Sequence, residues 1–563
     1  MRWRTVAEFA ETIPRLDLER LRSPRELPPD ELVKDSTTRT VARLDDPLQP
    51  DGPGLYVKRY KFRDLTDRLR YLLVPTKAEQ EWRISRGLQA AGIPTCDVLA
   101  IAERRRALLP REGFLVSREI ADTHGLAELA GEENDAGFRA ELLEELAALT
   151  AALANGGFHH RDYHAGNLPV RAGARAGRRV FVTDLHAIRQ RRVGRRRMTH
   201  MLAMLWPTVE QLSATERDER RFLRRLLESW RGGPGAADEA VRRLAQRVRR
   251  RRERLHRRHV RSRTKRCLKE SSLFTRDVTE DFVMHRRRDF PVEAALSAVR
   301  AHERAAEGSS EGGEIRQRSR RTVVSVCPCS VVPPRTQGQP ARPEELTPGQ
   351  VCVKAFLRPS TWDRIKDAMR PRGRARAAWV AARGMQVRGI PAAQPIALLE
   401  SRRKLSGGAD YLITEAVEHD DALYGALREG DLSPTDRQRL AEAMADLLRR
   451  MAEEGAYHPD TKPGNILVRR EGDGYSLWLV DLDRTSFPRR LSRARWVKTL
   501  ARINAQVPAE FSLLERMRFL RRCGRGRWDA EERLEVAREV LQRSAERLGR
   551  AAASGAISAD DSG

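Results

Sequence analysis

Lysine is scarce in this chain. Of 563 residues, 107 are Lys or Arg, and only 11 of those are lysine. Arginine supplies nearly all the positive charge, so each lysine is more informative than usual. Cysteine is scarce too. Cys96, Cys267, Cys327, Cys329, Cys352 and Cys523 form no C-x-x-C pair, which excludes a disulfide scaffold and fits a reduced, cytoplasmic protein. Cys327-Pro328-Cys329 is one close pair, and one pair cannot complete a four-ligand zinc site. No window approaches the roughly 18 consecutive apolar residues of a membrane span. The first residues carry Glu8, Glu11 and Asp17 where a signal peptide needs an apolar stretch, so export is not expected. At 40% hydrophobic and 33% charged, the chain is neither membrane-embedded nor disordered throughout. Its length predicts about four compact units.

What is present in excess is positive charge, a formal +28. That total implies a polyanion nearby: nucleic acid, anionic lipid or a phosphorylated sugar. The densest run is 247–266, with 12 basic residues and one acid, Glu253. It reads as a solvated, self-repelling helix or linker, or as a contact to anionic lipid or sugar phosphates. It has no interleaved aromatics and no nucleic-acid fold motif, which disfavours base-specific binding.

One offset runs through the chain. Gly92-Ile93-Pro94 recurs as Gly389-Ile390-Pro391, Trp82 as Trp379, and Asp184-Leu185 as Asp481-Leu482, each 297 residues later. Arg221-Phe222-Leu223-Arg224-Arg225 recurs at 518–522 with the same spacing, and Asp162 with Asn167 recurs as Asp460 with Asn465 at 298. A shared offset over five landmarks means one domain of nearly 300 residues, present twice. Each copy begins with a hairpin: Thr40–Leu44 and Leu55–Lys58 in the first, Thr322–Val324 and Val351–Lys354 in the second. From Thr to Lys is 18 residues in one and 32 in the other, so the second loop is longer by about 14 residues, Pro/Gly-rich and expected to be flexible. A helix bearing the Trp follows, then a second helix over 141–149, the Asp-x4-Asn loop and a short strand ending at Asp184 or Asp481. Arg-rich helices close each copy. Strands first and helices later predict an α+β fold: two tandem two-lobed domains, each with a small β-rich N-lobe and a larger helical C-lobe. The expected boundaries are 1–245, a basic helix or linker over 246–266, and 267–550 with its insertion near 328–349. The stretch 551–563 reads as a disordered tail.

The first copy holds His160-Arg161-Asp162-Tyr163-His164-Ala165-Gly166-Asn167, the H-R-D-x4-N pattern of protein-kinase catalytic loops. Such an Asp accepts or orients the proton of the attacking hydroxyl, and the Asn about one turn on holds Mg²⁺. Asp184 supplies a second carboxylate for the metal. Upstream, Lys58 closes a β-branched strand and suits the α/β-phosphates. Glu81, beside Trp82, is the acid expected to hold that lysine, with Glu79 second. The second copy keeps Lys354, Asp460, Asn465 and Asp481, but Ala378 stands where Glu81 does. Neither copy has G-x-G-x-x-G. The residues expected over the phosphates are 34–40 and 318–322, whose hydroxyls and N–H groups can cradle them. Neither copy has an A-P-E segment after the metal Asp, where 189–197 instead carries an arginine run. That speaks against an ordinary protein kinase.

With Tyr56-Val57-Lys58-Arg59-Tyr60, Glu81-Trp82, Asp184-Leu185-His186 and their second-copy counterparts, this pattern resembles the lipopolysaccharide core sugar kinase family, the Kdo/heptose kinases. The resemblance covers most of both copies. It implies a protein-kinase-like fold, ATP with Mg²⁺, and phosphate transfer to an inner-core sugar hydroxyl at the cytoplasmic membrane face. It makes Asp162 and Asp460 the catalytic aspartates. Asn167, Asp184, Asn465 and Asp481 become metal-holding residues, and Lys58 and Lys354 become phosphate-holding ones. The implied partner is a phosphorylated glycolipid or sugar acceptor, with peripheral contact to the anionic inner membrane through Arg-rich segments. Two other readings stand beside it. One is a protein Ser/Thr/Tyr kinase, favoured by the full His-Arg-Asp triplet. The other is a membrane- or RNA-binding scaffold with a pseudokinase second copy, favoured by Ala378. His159, His160, Asp162 and His164 could form a metal cluster, although such loop histidines more often hold the loop by hydrogen bonds.

Overall fold

The computed structural model describes residues 2–553, apart from 25, 29, 37, 63, 107, 132–135, 172–179, 310–311, 332–346, 370–372, 404–405, 429–431 and 509. The chain forms two compact units, Met1–Arg257 and Arg258–Gly563. Both mix sheet and helix.

Unit 1 opens on a six-stranded antiparallel sheet. Its spatial order is Arg2–Thr5, Val98–Arg106, Leu109–Arg118, Leu55–Lys61, Arg39–Leu44, Leu32–Asp35. Lys58 lies in the interior of this sheet, opposite Val41 on one side and Leu115 on the other. Its strand runs on to Lys61 and does not end at the lysine as expected. The helix Lys77–Ala90 is capped by Thr76, whose Oγ1 accepts from Glu79 N at 3.3 Å. It buries Glu81, Ile84, Ser85 and Leu88.

The recurring Gly-Ile-Pro is the stop of this helix. Gly92 and Gly389 take φ of +67° and +62°, a left-handed conformation that glycine adopts without a Cβ penalty. The buried Ile93 and Ile390 then donate back to Leu88 O and Met385 O at 2.9 and 3.0 Å.

Beyond the sheet, the helix Ala136–Asn155 buries Leu142, Leu143, Leu146, Leu149 and Leu153. The strand Phe158–His160 pairs with Ile188–Gln190, and together they present the 160–167 loop. The strand expected before Asp184 is reduced to bridges at Val180 and Val182. In unit 2 its equivalent, Gly474–Leu479, ends two residues before Asp481.

The basic run 247–266 was expected as a separate element. Its residues through Lys265 continue a helix spanning Asp238–Lys265, and the two units divide inside that helix. Val241, Leu244 and Val248 give the helix an apolar face buried in the core of unit 1. Arg249 pairs with Glu219 at 2.9 Å and Arg252 contacts Glu210. Apolar spacing of three and four, hidden among arginines, is what docks it.

Unit 2 has a seven-stranded antiparallel sheet. Its order is Phe274–Val278, Phe282–Arg287, Pro395–Ser401, Asp410–Glu415, Thr347–Phe356, Thr322–Val331, Glu314–Arg318. Lys354 lies between Val324 and Leu412, as Lys58 lies between its neighbours. Pairing in the long hairpin extends to Val331 opposite Thr347, and 332–346 fall outside the described residues. A helix the sequence did not announce, Val292–Ala306, buries Ala295, Ala298 and Val299. The last helix reaches Ala553, three residues into the expected tail. The remainder of that tail lies outside the described residues.

Candidate active site

In unit 1 the lysine and the helix acid meet. Lys58 Nζ donates to Glu81 Oε2 at 2.8 Å, and Tyr60 OH donates to Glu81 Oε1 at 2.5 Å. Glu81 is 1% exposed at its side chain, so both oxygens need partners there. Burial works against the Lys58 charge, but Glu81 prevails and the ammonium is held above its ordinary value.

Asp184 closes the cluster. Its φ is +55°, which is uncommon for a residue with a side chain and costs on the order of 1 kcal/mol. His186 Nδ1 lies 2.7 Å from Asp184 Oδ1 and 3.6 Å from Glu81 Oε1. Arg39, from the hairpin expected over the phosphates, lies 3.5 Å from the same Asp184 oxygen. Burial pushes the Asp184 carboxyl up, but His186, Arg39 and Lys58 push it down harder. It stays well below the usual carboxylate range.

The catalytic-loop pattern is held by its backbone. Asp162 N donates to His160 Nδ1 at 3.2 Å, and His160 Nε2 donates to Thr183 O at 3.2 Å. Burial pushes His160 down to about 4. Asn167 Nδ2 donates to Asp162 O at 2.8 Å, while Thr183 N and Oγ1 reach Asn167 O at 3.0 and 3.1 Å. The histidine is thus a strut, and among the described residues no group of three or more His, Cys, Asp or Glu could hold a metal ion. The Asp162 carboxylate is about half exposed and faces His164 at 3.6 Å.

Asn167 and Asp184 offer oxygen donors, the chemistry Mg²⁺ requires. The Asn167 amide nitrogen is engaged with Asp162 O, which leaves its amide oxygen available. The donor set therefore fits Mg²⁺.

Unit 2 keeps the loop and rearranges the charges. Asp460 N donates to His458 Nδ1 at 3.2 Å, and Asn465 Nδ2 donates to Asp460 O at 2.9 Å. With Ala378 buried in place of the helix acid, Lys354 turns onto Asp481. Asp483, standing where His186 stands, pairs with Arg374 at 3.3 Å. Asp460 is approached by Arg502 at 3.6 Å and Lys462 at 3.8 Å. A lysine deprived of its own acid has taken the expected metal carboxylate.

The structure brings Lys58, Glu81 and Asp184 into one cluster, places Asp162 with Asn167 on the adjacent loop, and pairs Glu79 with Arg4 and Arg83 at the surface. Sequence reasoning missed Tyr60, His186 and Arg39 as members of the cluster. Tyr60 stands two residues from Lys58 on the same strand, and period-two alternation could have flagged it. Arg39 lies in the 34–40 segment expected over the phosphates, but nothing local marks its pairing with Asp184.

A strand lysine paired to a helix acid, facing a carboxylate and an Asp-x4-Asn loop, is the equipment of a phosphotransferase. The lipopolysaccharide kinase (Kdo/WaaP) family model matches residues 29–225 and 349–518, and the chain belongs to that family. It is a kinase. Among curated proteins it is similar to the lipopolysaccharide core heptose(I) kinase WaaP of Pseudomonas aeruginosa, 26% identical over 186 residues, covering 31% of this chain and 69% of that one. Among solved structures it matches one described as WaaP in complex with acyl carrier protein. The identity is 23%, the coverage 45% of this chain and 99% of that one, and the TM-score 0.35.

Proposed function

We propose that the chain transfers the γ-phosphoryl group of ATP to a sugar hydroxyl of the lipopolysaccharide inner core, and that unit 1 is its main catalyst. The observation that carries this reading is the Lys58–Glu81–Tyr60 cluster beside Asp184. Lys58, held charged, neutralises nucleotide phosphates. Glu81 fixes where that charge sits. Asp162 orients the acceptor hydroxyl and takes its proton. Asn167 and Asp184 would hold Mg²⁺, which neutralises phosphate charge when bound. The work of the protein is positioning and preorganised charge.

The tandem reading, two kinase-like domains with a basic helix over 246–266 at their joint, draws support from the shared offset and from family matches in both halves. Unit 2 keeps Asp460, Asn465, Asp481 and Lys354. Their mutual pairing supports a poor or silent second catalyst. A titration of the full chain with ATP and Mg²⁺ separates the copies. Lys58→Met is expected to weaken the tighter site at least tenfold, and Lys354→Met is expected to leave it. The reverse pattern would move the catalyst to unit 2.

Peripheral contact with an anionic membrane draws support from a surface the sequence did not announce. Leu65, Leu69, Leu72, Leu73 and Val74 are all at least 40% exposed. Leu72 to Pro75 line an open cleft of about 410 Å³ whose rim carries Arg4, Arg83 and Arg105, paired with Glu79 and Glu103. Exposed apolar side chains beside a rim with three arginines against two carboxylates suit an anionic bilayer surface. Among the described residues, no helix is long and apolar enough to cross a membrane. Co-sedimentation with vesicles containing phosphatidylglycerol is expected for the parent and is expected to fall severalfold in Leu72→Ser/Leu73→Ser. Equal binding by both would discard this surface.

A further inference from the structure

His159 is 8% exposed, and neither of its ring nitrogens has a hydrogen-bond partner. One of them carries a hydrogen in every protonation state, so a buried donor is left unmet, which natural structures rarely tolerate. Its neighbour His200, ring centroid 6.0 Å away, donates from Nε2 to Arg161 O at 3.2 Å and leaves a buried Nδ1 without a partner.

Arginines dominate the charge acting on this pair, and Asp162 opposes them. Burial, His200, Arg197, Arg191 and Arg161 together push His159 down to about 4. Burial and Arg251 likewise push His200 down, against small opposing contributions from Arg161 O and Asp162. Among the described residues, none of the ion pairs involves Arg161, Arg191, Arg197 or Arg251. The backbone adds to the charge. Helix Arg195–Leu212 begins at Gly194 with no side-chain cap and no acid in its first turn, so no side chain there offsets the positive end of its dipole. Water would satisfy the imidazoles, but it would leave the clustered positive charge uncompensated.

We propose that His159, His200, Arg161, Arg191, Arg197 and Arg251 form a binding site in unit 1 for a phosphate monoester already present on the acceptor. The site adjoins Asp162 through Arg161, so a phosphate held there selects which acceptor hydroxyl reaches the catalytic loop. Unit 2 lacks it. Tyr457 replaces His159 and Pro459 replaces Arg161, and Arg495 lies 4.8 Å from the Tyr457 ring centre. The assignment of an acceptor phosphate rests on reading unit 1 as a sugar kinase, whereas the anion site itself does not.

The test uses the full chain, its Arg191→Gln/Arg197→Gln variant and, as a second probe of the same pocket, Arg161→Gln. The first arm titrates inorganic phosphate. Saturable binding by the parent, weakened at least tenfold in both variants, is expected, and equal binding by all three would overturn the site. The second arm compares a phosphorylated core oligosaccharide with the same material after phosphatase treatment. The parent is expected to prefer the phosphorylated acceptor at least tenfold in kcat/KM, and the variants are expected to lose most of that preference. A parent without preference would show that the anion is free phosphate and would overturn the acceptor assignment. If no sugar is labelled by any protein, the sugar-kinase reading fails and takes the acceptor assignment with it, while the first arm still decides the anion site.

Discussion

Asp162→Asn is expected to lower phosphoryl transfer by about 100- to 10,000-fold, the range that a positioned general base contributes. On the proposed reading, the substitution removes the proton acceptor and little else. The Asp162 backbone is clamped from both sides, by His160 at its N–H and by Asn167 at its carbonyl. Its side chain is 52% exposed, so asparagine fits without repacking. The same change at Asp460 is expected to cost far less, because that carboxylate already faces Arg502 and Lys462. Steady-state rates with a saturating acceptor distinguish the two. Equal losses would mean that both copies turn over.

Glu81→Ala is expected to destabilise unit 1 by about 3 kcal/mol, the cost of stripping one partner from a buried ion pair. Lys58 is 17% exposed and Glu81 only 1%, so water cannot replace the carboxylate. The Tyr60 hydroxyl loses its acceptor in the same step. The freed lysine has one carboxylate to turn to, Asp184, and unit 2 displays that outcome in Lys354 and Asp481. Nucleotide affinity should therefore fall together with the midpoint of urea unfolding. A variant as stable as the parent would show that the pair is ornamental.

Stability from this cluster should be flat with pH across the neutral range. Lys58 is held above its ordinary 10.5, so its contribution is complete below that value and is lost only as pH rises through the raised one. Asp184 is held below its ordinary 3.8, so its contribution is present above that value and disappears as pH falls through the lowered one. Asp184→Asn should accordingly flatten the loss of stability on acidification below about pH 4.

The local features of the site were legible in the sequence. A lysine in a β-branched run, an acid before a helix tryptophan and an Asp-x4-Asn loop each carry their own spacing. The features that depend on distant residues were not. Arg39 meets Asp184, and His186 meets Glu81, across gaps that no motif spans. The turn of Lys354 onto Asp481 follows from Ala378, but only the fold says which carboxylate is within reach. The basic run was read as a helix or linker, and it is helical, but composition hid the apolar face of Val241, Leu244 and Val248 that begins the same helix earlier. The run Leu72-Leu73-Val74 lies at the surface, which its local sequence does not announce. His159 stood out in the sequence only as part of a possible metal cluster, and its unpartnered ring nitrogens point elsewhere.

The most direct measurement follows the γ-phosphate of labelled ATP into isolated core oligosaccharide and a generic protein substrate offered together to the full chain. Label is expected as a phosphomonoester on a core sugar, with the Asp162→Asn protein losing it and the Asp460→Asn protein retaining it. Label confined to protein, or full sugar labelling by Asp162→Asn, would contradict it.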